Sequence, residues 1–447
     1  MTTFNVNSTL DELDANVGDG ICESTPSGVC TLRAAIQEAN SYTEADTIYV
    51  PAGTYLITRQ GNDDITLEGD LDIYTSMSIV GENTATTIID ANSLDRVFHI
   101  HDQNLIGNLD ITISGVTIQN GIGVVGGGVL LEATTLTLNE VSIQNNKAYN
   151  AVGTTRGGGI ENIDGYLTLN NSTVRDNENL CANCSGYGGG IDSINASTLV
   201  LNNTMLINNT TNASGGGIFN SGMLLVFNST FQNNVAGLTG GGLYTNIGTV
   251  NLVNSTFSNN GANNLGGGMY VLAGNIYLFN DTITQNHGDK DLNGTGGSGG
   301  IYTSAGVVTL QNSILAHNYG VNGNDDDCGT STLTSAGYNL LRIVLNCTIT
   351  GDLTGNQLGV NAGLEPLADN GGPTLTHALA SNSPAIDAGN PTGCVDQTQA
   401  FLLETDQRGY ARHVDGGSGT ARCDIGAYEY GASSGEMHPL YLPLITR

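Results

Sequence analysis

Residues 240–260 read GGGLYTNIGTVNLVNSTFSNN, and this stretch decides the fold because its pattern recurs along the chain. A glycine triplet returns at steps of 25 to 32 residues, and in its last copy Ser298 replaces the first glycine. The third residues of the triplets are Gly128, Gly159, Gly190, Gly217, Gly242, Gly268 and Gly300. A repeat of this length is typical of proteins in which each unit buries its apolar face against the next unit.

An asparagine keeps step with the glycine triplets and follows an apolar residue by three positions. Its copies are Asn146, Asn177, Asn208, Asn234, Asn260, Asn286 and Asn318. Stacked asparagines can each donate a side-chain amide to the next side-chain carbonyl, and asparagine tolerates the left-handed backbone of a sharp corner. We therefore predict an asparagine ladder at a buried turn, and glycine triplets at a corner that needs both positive φ and close backbone stacking.

The residues between these landmarks have the periodicity of short strands. In the stretch above, Val250 and Leu252 lie two positions apart, and glycine or asparagine interrupts the apolar runs. Such runs predict strands joined by turns. A unit of about 26 residues with two or three short strands corresponds to one coil of a solenoid. We predict an all-β, right-handed, single-stranded parallel β-helix of about ten to twelve coils, with a short N-terminal helical cap.

The composition excludes several classes of partner. The 447 residues include 42 acids and 12 bases, which gives a formal net charge of -30. Such a surface repels nucleic acid and anionic lipid, whereas it attracts divalent cations. No apolar run in the sequence approaches the roughly 18 residues of a membrane helix, so no direct membrane span is expected.

Eight cysteines fall into close pairs, which predicts nearest-neighbour disulfides and an oxidising compartment. The predicted pairs are Cys22 with Cys30, Cys181 with Cys184, Cys328 with Cys347, and Cys394 with Cys423. The first residues, MTTFNVNSTLDELD, lack the basic start and the apolar run of a secretory signal peptide. We expect an exported protein whose signal peptide has been removed, and a cytosolic protein with free thiols is the alternative.

The repeats resemble those of a known family. Glycine triplets followed by Phe231–Asn234 and Phe257–Asn260 resemble the GGAI and FxxN repeats of polymorphic outer-membrane proteins, over residues 120–320. This resemblance implies a right-handed β-helix that is displayed on a cell surface.

The N-terminal segment resembles the CSLREA domain over residues 4–55, and the matching motif reads CTLRAA from Cys30 to Ala35. This resemblance implies a cap at the start of a secreted β-helical protein. TLRAAIQEAN is the helix candidate of the chain, with Thr31 as its N-cap residue. Its predicted apolar face comprises Leu32, Ala35, Ile36 and Ala39. A helix at this place would shield the open strand edge of the first coil.

Near the C-terminus, SPAIDAGN (383–390), TDQRGYAR (405–412) and CDIGAYEY (423–430) resemble the choice-of-anchor Q domain, over residues 365–430. Such domains stand beside varied surface anchors in bacterial secreted proteins, so the resemblance implies export, and we predict a β-rich C-terminal cap. The predicted domains are a CSLREA-like cap (1–55), β-helix repeats (56–345), a choice-of-anchor Q-like region (346–430) and a tail (431–447).

Side chains at the same phase of neighbouring coils lie about 4.8 Å apart in a solenoid, close enough to act together. Glu161 and Asp192 each follow a third glycine by two residues and form a candidate catalytic acid pair. A glycoside hydrolase needs two carboxylates, and a lyase acting on uronates needs a base beside acid-bound calcium. Arg156 and Arg175 are the nearest bases. The competing interpretation is that both acids are solvated at a turn.

Aromatic residues occupy the same phase further along the chain. They are Phe219, Tyr244, Tyr270 and Tyr302. A row of this kind can bind sugar rings by stacking, or it can serve the solenoid as an internal aromatic ladder.

Other polar residues give weaker signals. The loop DANVGDG offers Asp14, Asn16 and Asp19 as oxygen ligands for a structural calcium ion, and an Asx-turn network is the alternative. Residues 325–327 are interpreted as a solvated acidic loop. The histidines His99, His101, His287 and His317 are interpreted as surface or turn residues.

The unbroken repeat and the cap-like ends predict an exported, non-enzymatic surface or extracellular structural protein: an adhesin, a spacer or a self-assembling filament or matrix subunit. The expected partner is another copy joined end to end, to whose strand edge the tail His438–Arg447 would add, or a surface glycan or protein. The alternatives are a polysaccharide lyase or glycoside hydrolase acting on an acidic glycan, and a carbohydrate-binding module. No cofactor is expected besides structural calcium.

Overall fold

The computed structural model describes residues 2–61, 63–102, 109–181, 185–329, 331–344, 347–396 and 401–433. The chain forms two compact units. The first comprises Met1–Leu224 and Asn233–Gly248, and the second comprises Leu225–Gln232 and Thr249–Arg447. In each unit parallel strands stack coil upon coil, so each has the architecture of a parallel β-solenoid, which the repeat predicts.

Successive coils of the first unit contribute strands to three main parallel sheets, named here the first, second and third sheets. The first sheet contains Thr3–Asn5, Asp46–Val50, Met77–Gly81, Asp110–Ser114, Thr135–Asn139, Tyr166–Asn170 and Thr198–Asn202. The second contains Gly53–Leu56, Thr87–Asp90, Thr117–Gln119, Ser142–Gln144, Thr173–Arg175 and Met205–Ile207. The third contains Leu71–Ile73, Phe98–His101, Val129–Glu132, Ile160–Ile163, Ile191–Ile194, Ile218–Asn220 and Leu243–Thr245. Shorter parallel strands are Ile122–Gly123, Lys147–Asn150, Thr155–Arg156, Glu178–Cys181, Gly186–Tyr187, Thr210–Thr211 and Val235–Ala236.

The second unit repeats this arrangement. One row of its parallel strands is Thr249–Val253, Asn275–Phe279, Val307–Gln311, Thr332–Ala336 and Thr348–Asp352. Another is Thr230–Gln232, Thr256–Ser258, Thr282–Thr284, Ile314–Ala316, Leu340–Leu341 and Gln357–Leu358. Further strands are Gly261–Ala262, Met269–Val271 and Ile301–Thr303, and the antiparallel pairs Leu364–Ala368 with Thr376–Leu379 and Val395–Asp396 with Phe401–Leu402. The strand Met223–Phe227 spans the sequence boundary of the two units.

Apolar side chains at alternate strand positions fill the interior of the coils. In the first unit Leu136, Leu167 and Leu199 are register partners on neighbouring strands and are fully buried. In the second unit the rings of Phe231 and Phe257 stack with their centroids 4.1 Å apart. Each such side chain stabilises the fold by about 1.5–3 kcal/mol, so these stacked rows are the main source of stability.

The glycine triplets form a corner at which neighbouring backbones nearly touch. The first residue of a triplet has a left-handed backbone, with φ of 57° at Gly157 and 68° at Gly188. A Cβ atom on the second residue, Gly158, would lie 2.2 Å from the carbonyl oxygen of Gly189. The triplet therefore meets both predicted requirements, positive φ at its first residue and close stacking at its second.

The asparagine ladder of the first unit is continuous. Nδ2 of Asn146 donates to Oδ1 of Asn177 at 3.0 Å, and Nδ2 of Asn177 donates to Oδ1 of Asn209 at 3.0 Å. Nδ2 of Asn209 then donates to Oδ1 of Asn234 at 2.9 Å. The amides thus satisfy one another at a turn from which water is excluded.

One predicted rung of this ladder is wrong, because Asn209 takes the place assigned to Asn208. Asn208 is exposed, has a φ of 56° and donates to Asp176. The physical reason is register: the buried apolar residue of this coil is Leu206, and a rung follows the buried residue by three positions.

The ladder of the second unit ends on a carboxylate. Nδ2 of Asn260 donates to Asn286, Nδ2 of Asn286 to Asn318, and Nδ2 of Asn318 to Oδ1 of Asp327, each at 2.9 Å. Asp327 is fully buried, so its interpretation as part of a solvated loop is wrong. Burial raises the pKa of Asp327 to about 6, although the hydrogen bonds from Asn318 lower it.

The predicted helix spans Leu32–Asn40. Thr31 is its N-cap residue, because its side chain accepts a hydrogen bond from the Ala34 N–H. All nine residues of the helix are buried, rather than one apolar face. Arg33 explains part of this burial, since its Nε donates to Oδ1 of Asp11 at 2.6 Å and its Nη2 donates to the carbonyl oxygen of Gly69 at 2.8 Å. The arginine of the CTLRAA motif therefore ties two covering loops to the helix.

The C-terminal region of the second unit packs along the side of that unit's coils. Nε2 of Gln407 donates to Oγ1 of Thr230 at 2.9 Å, and Nη2 of Arg412 donates to Oδ1 of Asn254 at 2.7 Å, over 177 and 158 residues of sequence. Coil strands also continue beyond residue 345, to Gln357–Leu358. The region therefore covers a flank of the solenoid and does more than close its end.

Three predicted disulfides are confirmed: Cys22–Cys30, Cys328–Cys347 and Cys394–Cys423. Cys181 is also disulfide-bonded, whereas Cys184 and the predicted assembly segment His438–Arg447 lie outside the described residues. Disulfides favour an oxidising, extracellular environment. Within the described part of the chain, no helix is long and apolar enough to cross a membrane.

Candidate functional site

The third sheet of the first unit carries a row of side chains on the face opposite the core, and the residue type in this row changes from coil to coil. This outer row runs in register through Asp72, His99, Leu130, Glu161, Asp192, Phe219 and Tyr244. The adjacent positions Ile73, Ile100 and Leu131 are fully buried in the core. Because successive strand residues face opposite ways, the outer row lies on the other face of the sheet.

Glu161 and Asp192 are neighbours in the outer row, and both are completely buried. Their interpretation as solvated acids at a turn is therefore wrong. Arg156 places Nη1 3.0 Å from Oδ2 of Asp192, and its guanidinium lies 5.3 Å from the ring centroid of Tyr187. Neither carboxylate oxygen of Glu161 has a hydrogen-bond partner among the described residues.

Two acids buried beside a single arginine hold their protons strongly. Burial, followed by the charge of Asp192, raises the pKa of Glu161 well above its ordinary value. Burial also raises the pKa of Asp192 to about 7, although the charge of Arg156 lowers it. Burial thus favours the protonated form of both carboxyl groups, and Arg156 partly offsets this effect.

The sealed position of this pair limits its chemistry. Strongly shifted carboxyl groups are frequent in active sites, but the two carboxyl groups of a glycosidase must reach the sugar. With neither Glu161 nor Asp192 exposed, a glycan has no access to this pair in the described structure. Because the pKa values of both acids are raised in the folded protein, the direct consequence of their burial is a stability that depends on pH.

A second polar group lies at the other end of the outer row and consists of Asp72, His99 and His101, named here the histidine–aspartate cluster. Oδ1 of Asp72 lies 3.4 Å from Nδ1 of His99 and 4.0 Å from Nε2 of His101. One ligand atom from each residue lies within 4.8 Å of the other two. The two rings stack with centroids 4.3 Å apart, because residues two apart on a strand face the same way. The spacing suits a single metal ion.

Neighbouring groups hold this cluster in place. Oε2 of Glu132 lies 2.9 Å from Nε2 of His99, and the Thr66 N–H donates to Oδ2 of Asp72 at 2.6 Å. Asp64, whose side chain is 72% exposed, places Oδ1 3.5 Å from Nδ1 of His99. Oδ1 of Asp72 and Nε2 of His101 have no hydrogen-bond partner among the described residues. Asp72 and His99 are thus each held by a neighbouring group, whereas Nε2 of His101 is open.

The pKa values of the two histidines of the cluster shift in opposite directions. Burial lowers the pKa of His99, but the nearby carboxylates of Asp72 and Glu132 outweigh it and raise that pKa to about 9. Burial, followed by the charge of His99, lowers the pKa of His101. Their interpretation as surface or turn residues is wrong, since they lie on a strand where His99 is buried and His101 half-buried.

The sequence contains a signal for this cluster that lies upstream of the repeat landmarks. His99, Leu130, Glu161 and Asp192 follow one another at steps of 31 residues. His99 therefore has the phase of the acid pair, although it precedes the first glycine triplet. Extending the 31-residue step by one coil towards the N-terminus locates His99. His101 then lies two residues further along the same strand and faces the same way.

The predicted aromatic residues stack on one another. In the first unit the ring of Phe219 lies 4.9 Å from that of Tyr244, at an interplanar angle of 8°, and 4.7 Å from that of Tyr187. In the second unit Tyr270 and Tyr302 stack with centroids 5.4 Å apart. Rings that stack in this way use their faces inside the protein, which favours the ladder interpretation. Sugar binding by the half-buried tyrosines stays a prediction.

The predicted calcium loop forms a network of hydrogen bonds. Oδ1 of Asp14 accepts from the Asn16 N–H at 2.8 Å, and Nδ2 of Asn16 donates to Oδ2 of Asp19 at 2.9 Å. Oδ1 of Asp19 accepts from the Ile21 N–H at 2.8 Å. These are the contacts of Asx turns, and calcium binding by this loop stays a prediction.

Comparisons with known proteins give similarities of fold. No protein-family model matches the chain, and no curated protein matches it. Among solved structures, the chain is similar to the pectate lyase Pel9A, with 15% identity, a TM-score of 0.46 and 96% of each chain covered. It is similar to a rhamnogalacturonan lyase with 12% identity and a TM-score of 0.36, over 86% of this chain and 96% of that one. It is also similar to ORF18 of Geobacillus virus E2, with 12% identity and a TM-score of 0.37, over 84% of this chain and 63% of that one.

Proposed function

We propose that this protein is an exported, non-enzymatic structural protein of the cell surface or extracellular matrix. The observation that carries the proposal is the complete burial of Glu161 and Asp192, the acid pair that the repeat places in phase. The repeated asparagines of the coils are engaged in internal ladders, so they too support the solenoid itself.

Several features support export. Disulfides are stable in oxidising compartments, and the chain carries them in the N-terminal cap, near the end of the coils and in the C-terminal region. The resemblances to CSLREA and choice-of-anchor Q domains imply secretion and surface display. Within this class the protein acts as an adhesin, a spacer or a self-assembling subunit, for which a stack of parallel strands with internal ladders offers a stiff body.

Localisation tests the proposal. Immunogold labelling and fractionation of the source cells are expected to place the protein outside the cytoplasmic membrane, in its disulfide-bonded form. A cytoplasmic marker protein, followed in the same fractions, controls for lysis. Detection of the protein only inside cells, with its thiols reduced, would contradict the proposal.

The alternative is a polysaccharide lyase or hydrolase acting on an acidic glycan, and the shifted pKa values of Glu161 and Asp192 favour it. Purified protein incubated with a panel of acidic polysaccharides distinguishes the two functions, with unsaturated uronates and reducing ends as readouts. We expect no product. Product that disappears in both Glu161→Gln and Asp192→Asn, but not in the exposed-acid variant Glu140→Gln, would establish the enzyme and overturn the structural role.

A further inference from the structure

We propose that the histidine–aspartate cluster of the first unit is a binding site for a divalent transition-metal ion of the zinc class. Its ligands are Oδ1 of Asp72 and one ring nitrogen each of His99 and His101, with Asp64 in the fourth position. The proposal is independent of the structural role, because it concerns a different end of the outer row.

The distances suit a tetrahedral ion. Ligand atoms about 2.1 Å from zinc lie about 3.4 Å from one another. The distance between Oδ1 of Asp72 and Nδ1 of His99 is 3.4 Å, and that between Oδ1 of Asp64 and the same nitrogen is 3.5 Å. Nε2 of His101 is 4.0 Å from Oδ1 of Asp72, so binding of the ion requires a small movement of the His101 ring.

Two ligand atoms, Oδ1 of Asp72 and Nε2 of His101, are buried and make no hydrogen bond within the described structure. Their contacts with each other and with Nδ1 of His99 are longer than hydrogen bonds, at 3.4–4.0 Å. A metal ion would satisfy both atoms at once. The loop of Asp14 and Asp19 differs in this respect, since N–H groups already occupy its carboxylate oxygens.

The surroundings are those of a metal-binding histidine. Glu132 engages Nε2 of His99 at 2.9 Å and thereby leaves Nδ1 to face Asp72. A carboxylate on the far nitrogen of a ligating histidine fixes the ring and raises its basicity as a ligand. The Thr66 N–H anchors the other oxygen of Asp72 in the same manner.

The donor set selects the kind of ion. Two imidazole nitrogens with carboxylate oxygens suit zinc, nickel or copper, whereas calcium and magnesium prefer oxygen ligands alone. Asp64 lies on an exposed loop, so an ion can reach the cluster from solvent.

Titration of the full-length protein tests the proposal. After removal of bound metal with a chelator, calorimetric titration with zinc chloride is expected to give one saturable site per chain, and zinc is expected to raise the melting temperature. Cobalt chloride is expected to give the intense visible absorption of a tetrahedral ion. Calcium chloride is expected to produce neither effect.

Variants assign the site to the cluster. His101→Ala is expected to weaken zinc binding by at least about 100-fold, and Glu132→Gln by about 10–100-fold. His287→Gln is the matched control, because His287 is also half-buried and stacks on an aromatic ring, that of Tyr319 in the second unit. It is expected to leave the affinity unchanged.

Clear outcomes overturn the proposal. Absence of saturable zinc binding by the wild-type protein would do so. An unchanged affinity in both His101→Ala and Glu132→Gln would also do so, because the zinc would then lie elsewhere on an acidic surface. Circular dichroism spectra confirm that each variant is folded. His101 and Glu132 are used for this test because Asp72 also forms structural hydrogen bonds, so that its replacement affects the fold.

Discussion

The asparagine ladder and the outer row of the first unit are both stacks with one residue per coil, yet only the ladder repeats its residue. Ladder rungs are asparagines in successive coils, for instance Asn177 and Asn209. The outer row passes from an acid through a histidine, a leucine and two further acids to aromatic rings. The same coils carry both rows, the ladder at a turn and the outer row on the third sheet, so we attribute the difference to the chemistry of the side chains.

An amide is both a hydrogen-bond donor and an acceptor, so identical asparagines can satisfy one another through any number of coils. A carboxylate only accepts, so a stack of acids needs donors from outside it. The ladder of the second unit shows this limit, because it ends where Asp327 replaces an asparagine. In the outer row, Arg156 supplies a donor to Asp192 and the histidines lie beside Asp72, but no described group donates to Glu161.

The largest expected effect comes from breaking the ladder. Asn209→Ala removes the side-chain oxygen that accepts from both the N–H and the amide of Asn177, and it removes the amide that donates to Oδ1 of Asn234 and to the Val174 carbonyl. The buried Asn177 N–H then has no acceptor, and the Val174 carbonyl loses a donor. We expect the free energy of unfolding to fall by about 3–5 kcal/mol, because each unsatisfied buried group costs about 1–3 kcal/mol. Urea denaturation with the disulfides intact, followed by circular dichroism, measures the change.

The neighbouring residue provides the control for this prediction. Asn208 is exposed and left-handed, so Asn208→Gly keeps its backbone conformation and is expected to change stability by less than about 0.5 kcal/mol. Equal effects of Asn209→Ala and Asn208→Gly would show that the hydrogen bonds of the ladder contribute little. The comparison with the outer row would then lose its basis.

The sequence predicts the parts of this molecule that repeat. Landmarks in phase predict the coils, the glycine corner and the ladder, and one error arises where a coil is a residue longer and Asn209 replaces Asn208. Phase also predicts that Glu161 and Asp192 are neighbours. It does not predict their burial, because Arg156, which pairs with Asp192, and Tyr187, whose ring lies beside Arg156, come from short strands in turns of variable length.

Residues that occur in only one coil at a given repeat position are the hardest to interpret from sequence. The two histidines of the cluster have no copies in later coils, where Leu130 and Glu132 take their register positions. The repeat pattern therefore gives no expectation for these two histidines. Their meaning depends on which charged groups approach from other loops, and Asp64 and Thr66 belong to a segment without repeat landmarks.

A smaller effect is expected at the acid pair, where the outer row departs furthest from the ladder. The pKa of Asp192 is about 7 in the folded protein and has an ordinary value of 3.8, and that of Glu161 is also raised. At pH values between 3.8 and about 7, Asp192 is ionised in the unfolded chain but still protonated in the folded chain. The free energy of unfolding is therefore highest at low pH and falls as the pH rises towards 7. The double variant Glu161→Gln, Asp192→Asn removes the titration.

Other buried acids, such as Asp70 with a pKa of about 7, also contribute to the pH profile, so the readout is the difference between the two proteins. We expect the double variant to gain on the order of 2 kcal/mol relative to wild type between pH 4 and pH 7. Urea denaturation at each pH measures it, and Glu140→Gln, which alters an exposed acid, is expected to follow the wild-type profile. Parallel profiles for the wild type and the double variant would mean that the two acids ionise as they do in the unfolded chain. The outer row would then satisfy its acids as fully as the ladder satisfies its amides, and the distinction between a stack of amides and a stack of carboxylates would fail at the place where it should be clearest.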